Sequence, residues 1–113
     1  MGSIKYFFII IALASTCYGV YAAPAADTGL TKISRIGAST NGIFVAVVNG
    51  NNNPSNCSSP YADQHMFLPD TAPGYDTISA ALMGAHFAGK DVVIVTQDCT
   101  SVGYSKIRNM SVY

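Results

Sequence analysis

The apolar positions of this chain fall into short patterns that change character every ten to fifteen residues or so. In LTKISRIGAS (30–39), Leu30, Ile33 and Ile36 lie three apart. That spacing fits neither strict alternation nor a helix carrying Gly37 in its last turn. A strand interrupted by a bulge or a sharp bend accommodates it, because one extra residue exchanges the two faces. STNG (39–42) follows, and Asn41-Gly42 is a strong hairpin signal. IFVAVV (43–48) then predicts a second strand, apolar on both faces, as expected inside a barrel or beneath a helix. NGNNNPSNCSSP (49–60) has no apolar period and is rich in Asn, Ser, Gly and Pro, so it is a loop.

QHMFL (64–68) predicts a short third strand. From residue 69 to 90 the period becomes helical: Tyr75, Ile78, Leu82 and Ala85, extended by Phe87 and Ala88, form an apolar stripe. Thr71 or Asp70 is the candidate cap, Pro73 suits the first turn, and Gly89 suits a left-handed terminus. DVVIVTQ (91–97) is the fourth strand, and YSKIRNMSVY (104–113) the fifth. Ile107 and Met110 are again three apart, which predicts a second bulge near Arg108–Asn109. The order β-β-β-α-β-β is that of a five-stranded, OB-like Greek-key barrel with a helix between its third and fourth strands. A twisted antiparallel sheet with one helix on a face is the competing arrangement. No repeat or second domain is visible, so residues 30–113 are read as a single domain.

The first 22 residues alter this picture by leaving it. Lys5 precedes an apolar run of about eleven residues, YFFIIIALAST, and small residues follow with the spacing a signal peptidase requires. Cleavage is expected after Ala22 or Ala23, with Ala25 as the alternative, leaving 23–29 as a flexible start. The run falls short of the roughly twenty apolar residues of a membrane span. MGSIKY lacks the Ser or Thr of a myristoylation site, and Thr16 is bulky for the position before a lipid-modified Cys17. The expected product is a secreted chain, extracellular or periplasmic, without stable membrane insertion. Losing Cys17 leaves Cys57 and Cys99, an even pair in an oxidising compartment, which favours a disulfide. The loop so closed, about 43 residues, corresponds to roughly 4 kcal/mol of chain entropy. That is a large share of the stability of a domain of about 90 residues.

Charge and candidate chemistry narrow the function classes. Beyond the leader, five basic residues (Lys32, Arg35, Lys90, Lys106, Arg108) face six Asp and no Glu, all scattered. Phosphate backbones are bound by clustered Lys and Arg, so nucleic acid is a poor partner. Two His and scattered Asp give neither zinc nor calcium spacing, no cofactor is implied, and no nucleophile motif is present. Asp63 and His65, two apart on a strand, would share a face, with Ser58 or Ser59 as the only nearby nucleophiles. A small hydrolase built on them is the weakest of the function classes, so no catalytic residue is assigned. His86 reads as a packing residue of the helix. The Asn-rich loop offers better chemistry: Asn51, Asn52, Asn53 and Ser58 supply amides and a hydroxyl, and Tyr61 an aromatic face, a mixture suited to a neutral sugar. Asn56-Cys57-Ser58 and Asn109-Met110-Ser111 are acceptor sequons if the host is a eukaryote.

The stretch 78–113, with ISRIGASTNGIFVAV and Cys57, resembles small secreted proteins related to the B subunit of subtilase cytotoxin. The likeness lies in a helix ending Ala-Gly-Lys, a β-branched strand running to a cysteine, and a closing Gly-Tyr-x-Lys-Ile strand. It implies an OB-like barrel with an intrachain bridge. In the toxins it implies a pentameric ring that binds cell-surface glycans and carries a separate catalytic subunit. The mature chain here is shorter than those subunits, and their sugar-contacting positions have no match in it. Two main expectations follow: a non-catalytic secreted glycan-binding module, homo-oligomeric in the manner of toxin B subunits, or a secreted interaction or inhibitor domain acting on a protein.

Overall fold

The computed structural model describes residues 25–113, so the leader expected at 1–22 and Cys17 lie outside the described residues. Two long strands, β2 (Thr31–Ser39) and β3 (Gly42–Val47), form a hairpin closed by Thr40-Asn41. Gly42 is required at its exit: φ is 151°, and an added Cβ would lie 2.1 Å from the Leu68 carbonyl oxygen. The bulge expected in the first long strand is present. Ile33 pairs with Val47 and Arg35 with Ala46, so Ser34 is the extra residue, and Ile33 and Ile36 both meet the core despite being three apart.

β3 pairs on its other side with β4 (Met66–Pro69), and β4 pairs in parallel with β6 (Ser105–Val112). β6 runs antiparallel to β5 (Asp91–Cys99), which in turn pairs antiparallel with the start of β2 through Thr31 and Lys32. The second expected bulge is also found: Val95 faces Asn109 while Thr96 faces Ile107, leaving Arg108 unpaired. A sixth strand was not anticipated. β1 (Ala26–Asp27), inside the stretch expected to be a flexible start, pairs with Thr96 and Val95 of β5. Thr28 extends this pairing, its amide donating to the Ile94 carbonyl (3.0 Å) and its hydroxyl accepting from the Ile94 amide (3.2 Å). Among the described residues the result is a mainly β fold of one six-stranded sheet and one helix.

Helix α1 (Tyr75–Ala88) follows β4. It starts later than the candidate caps Asp70 and Thr71 imply: its cap is Gly74, in the left-handed region and without a side-chain hydrogen bond, because residues 70–74 form turns. It ends as expected, with Gly89 left-handed and the Gly89 and Lys90 amides donating to the His86 and Ala85 carbonyls. Leu82 and Ala85 are buried, with Tyr75 and Ile78 packed beside them. Phe87, expected to extend the apolar stripe, is 85% exposed, and Ala88 is exposed too. The core the helix joins consists of Ile33, Ile43, Val45, Val47, Met66, Leu68, Val92, Ile94 and Ile107. No helix of the described residues is long and apolar enough to cross a membrane.

The disulfide forms between Cys57 and Cys99, with Cα atoms 5.6 Å apart. It ties the long β3–β4 loop to the end of β5, as expected from the pairing of the two remaining cysteines.

Candidate functional site

Strand alternation divides β3 in two. Ile43, Val45 and Val47 enter the core, which turns Phe44 and Ala46 to the opposite, outer face. That face was expected to be dry, yet no helix of the described residues covers it. Phe44 is half-buried by side chains of neighbouring strands instead. Register fixes which: Gly37 pairs with Phe44, Phe44 with Phe67, and Phe67 with Lys106, so these four form one row across β2, β3, β4 and β6. Two residues along each strand, a second row contains Arg35 and Ala46, which pair directly, and continues to His65 and Tyr104, which immediately precede β4 and β6.

The rings of the two rows pack together. Phe44 lies 4.7 Å from Phe67 between centroids and 5.2 Å from Tyr104, edge-on to the latter. His65 meets Phe44 and Tyr104 edge-on at 6.3 and 6.4 Å. Gly37 and Ala46 interrupt the rows with minimal side chains: beside Gly37 a small hollow of about 230 Å³ lies among Arg35, Phe44, His65 and Tyr104, and beside Ala46 a larger cleft adjoins Arg35, His65 and Tyr104. This cleft, about 560 Å³, is lined among others by Arg35, His65, Tyr61, Gln64, Tyr104 and Ser34.

Arg35 is the cation of the cleft. Its guanidinium contacts Nε2 of His65, and no carboxylate lies within ion-pair distance of it among the described residues. The described ion pair, Lys32–Asp91 at 2.8 Å, belongs elsewhere. A guanidinium presents a planar fork of donors suited to a carboxylate or sulfate. Here the fork stands beside aromatic faces, the phenol groups of Tyr61 and Tyr104, and the Gln64 amide.

The loop bearing Tyr61 is held from within. The Asn53 side chain accepts from the Cys57 amide (2.8 Å) and donates to the Cys57 carbonyl (3.0 Å). The Asn51 side-chain oxygen accepts from the Asn53 amide (2.8 Å), and the Asn51 amide donates to the Asp63 carbonyl (2.8 Å). Ser59 is tied to Gly103 of the β5–β6 loop (3.1 Å), where an added Cβ would lie 2.6 Å from the Ser58 hydroxyl. Of the five residues expected to bind ligand, then, Tyr61 alone lines the cleft. Asn51 and Asn53 serve the loop's own fold, while Asn52 and Ser58 are exposed outside the cleft lining.

Asp63 and His65 do not pair. β4 begins only at Met66, so Asp63 sits in a turn where alternation does not apply, and His65 turns to Arg35. His86 is the packing residue anticipated, its Nδ1 lying 3.1 Å from the Ile33 carbonyl at the edge of the core. No cluster of His, Cys, Asp or Glu capable of holding a metal occurs among the described residues. Arg35, Phe44, Phe67 and Tyr104 were missed as site residues. The signal for Arg35 was present, since a bulge between Ile33 and Ile36 sends Arg35, Gly37 and Ser39 to the outer face. Its convergence with Tyr104 depends on pairings across four strands that no local pattern carries. No protein-family model matches this chain, and no curated protein matches it either.

Proposed function

We propose that the mature chain is a secreted, non-catalytic sugar-binding module, built on an OB-like barrel and using the outer face of β2, β3, β4 and β6. The barrel reading is supported by the run of pairings, which passes from β2 through β3, β4, β6 and β5 back to β2, with the helix between β4 and β5. That is the connectivity of the OB-fold, whose second and third strands and flanking loops bind oligosaccharides and oligonucleotides. The sparse positive charge argues for the former. Secretion and export rest on the leader-like N-terminus.

The observation that carries the function is Arg35 without a carboxylate partner in a cleft walled by Tyr61, Tyr104 and His65. A sugar ring lays its C–H face on an aromatic side chain while its hydroxyls meet amides and phenols. The guanidinium adds a place for an acidic substituent. The cleft therefore favours an acidic sugar over the neutral one expected of the Asn-rich loop. The test is a glycan array with the mature domain and its Arg35→Gln variant. Wild type is expected to retain acidic glycans, and the variant to lose at least tenfold in apparent affinity with its melting temperature unchanged. Failure of the wild type to retain any glycan overturns the proposal.

A protein-interaction role draws on a different surface. Leu30, Phe87, Val112 and Tyr113 are all exposed. They gather about the Lys32–Asp91 pair: the Tyr113 amide donates to the Asp91 carbonyl, Val112 pairs with Val92, Leu30 stands two residues before Lys32, and the Lys32 ammonium reaches the Gly89 carbonyl, two residues beyond Phe87. Apolar exposure of this kind suits a subunit or partner contact, and the homo-oligomer implied by the toxin resemblance would use such a surface. Light scattering on the mature domain separates the cases: a ring of subunits favours the toxin-like assembly, a monomer the inhibitor-like role.

A further inference from the structure

The outer face carries a second hollow on the far side of the Phe44–Phe67 pair from Arg35. It measures about 500 Å³, and its lining includes Phe44, Phe67, Asn41, Asp70, Thr100 and Lys106. Three segments build it: the tip of the β2–β3 hairpin, the residues after β4, and the β5–β6 loop. The first two are joined by the Asp70 amide, which donates to the Asn41 carbonyl (2.8 Å). The third closes on itself: the Thr100 amide donates to the Tyr104 carbonyl (2.7 Å), the Gly103 amide to the Thr100 carbonyl (3.0 Å), and the Thr100 hydroxyl accepts from the Tyr104 amide (3.1 Å). The frame is thus fixed, but the polar ends within it are uncommitted: the side chains of Asn41, Asp70 and Lys106 have no hydrogen-bond or ion-pair partner among the described residues.

We propose that this hollow is a second subsite, for a neutral hexose or pentose, and that the ligand is a short oligosaccharide with its acidic unit at Arg35. The inference rests on the sugar-binding reading above and adds to it the ligand's length and charge pattern. Two oxygens of one carboxylate accept from adjacent sugar hydroxyls, while an amide and an ammonium donate to neighbouring sugar oxygens. Asp70, Asn41 and Lys106 supply those three groups over an aromatic floor. Asp70 and Lys106 leave this lining with charges of both signs, which suits a neutral sugar, whereas the Arg35 cleft holds a cation and no carboxylate. Phe44 borders this hollow and the small one of about 230 Å³ beside Arg35, and is the surface a bound chain would cross. Along β2, the outer-face positions from Arg35 to Ser39 span about 13 Å at a strand's rise, more than a single sugar ring covers.

The test titrates the mature domain with two probes, glucuronic acid and glucuronosyl-xylobiose, following amide chemical shifts. The trisaccharide is expected to bind at least tenfold more tightly than the acid alone, and to shift residues of both hollows. Asp70→Asn should remove most of that gain and leave glucuronic acid affinity unchanged, while Arg35→Gln weakens both probes. Asp70 is exposed, so an unchanged melting temperature will verify that the variant is folded. Equal affinity for the two probes, or a full gain retained in Asp70→Asn, overturns the second subsite and leaves the Arg35 reading standing. Binding of neither probe overturns the second subsite, and if the wild type also retains no glycan on the array the Arg35 reading falls with it.

Discussion

Asn53 and Asn52 are neighbours of one residue type with opposite expected sensitivities. Asn53 makes two side-chain hydrogen bonds to the backbone of Cys57, while Asn52 is exposed and makes none among the described residues. Asn53→Ala should therefore cost about 1–3 kcal/mol, since two backbone groups of the loop lose their partners. Asn52→Ala should stay within about 0.5 kcal/mol. Urea midpoints of the two variants check this directly. Gly42 is a second sensitive position: its φ of 151° and the 2.1 Å approach to the Leu68 carbonyl leave no room for a methyl group. Gly42→Ala is expected to lose about 2–3 kcal/mol by the same measurement, through backbone strain and a forced shift of β4. Reading the Asn-rich loop as ligand-binding overlooked this internal use. Asn at positive φ, as at Asn53 and Asn56, is a local device of tight loops, and composition does not separate it from recognition.

At the scale of elements, the helix offers a contrast between two apolar residues. Leu82 is fully buried, and its replacement by Ala should cost about 2–4 kcal/mol. Phe87 is 85% exposed, so Phe87→Ser should change the thermal midpoint little. If Phe87 instead belonged to a subunit contact, the same variant would alter the size seen by light scattering. Much at this scale was legible in sequence. The three-residue spacings Ile33–Ile36 and Ile107–Met110 marked real bulges, because a strand can keep both residues inward only by adding one. Gly89 marked the helix end for an equally local reason, the left-handed conformation that ends a helix. The helix start was less readable. Asp70, Thr71 and Pro73 are also turn formers, and turns use them here before Gly74 admits the helix.

For the molecule as a whole, the disulfide is the feature that ties the site to the fold. It joins the loop carrying Tyr61 to the end of β5, across 42 residues of sequence. Replacing both Cys57 and Cys99 with Ser is expected to cost about 2–4 kcal/mol. It should also loosen Tyr61 and Gln64 relative to Arg35, so sugar affinity should fall more than melting alone explains. Calorimetric melting together with binding below the melting range checks both effects. The bridge was legible by counting cysteines. The site was not, because its two rows combine residues of β2, β3, β4 and β6 and the segments just before them, set together only by register. The central claim is that the outer face around Arg35 receives the sugar. Amide chemical-shift mapping with an acidic glycan tests it most directly. Perturbations are expected to gather at Arg35, Gly37, Gln64, His65 and Tyr104, whereas shifts confined to the Asn-rich loop tip or to the Phe87 end of the helix would place the sugar elsewhere and overturn the proposal.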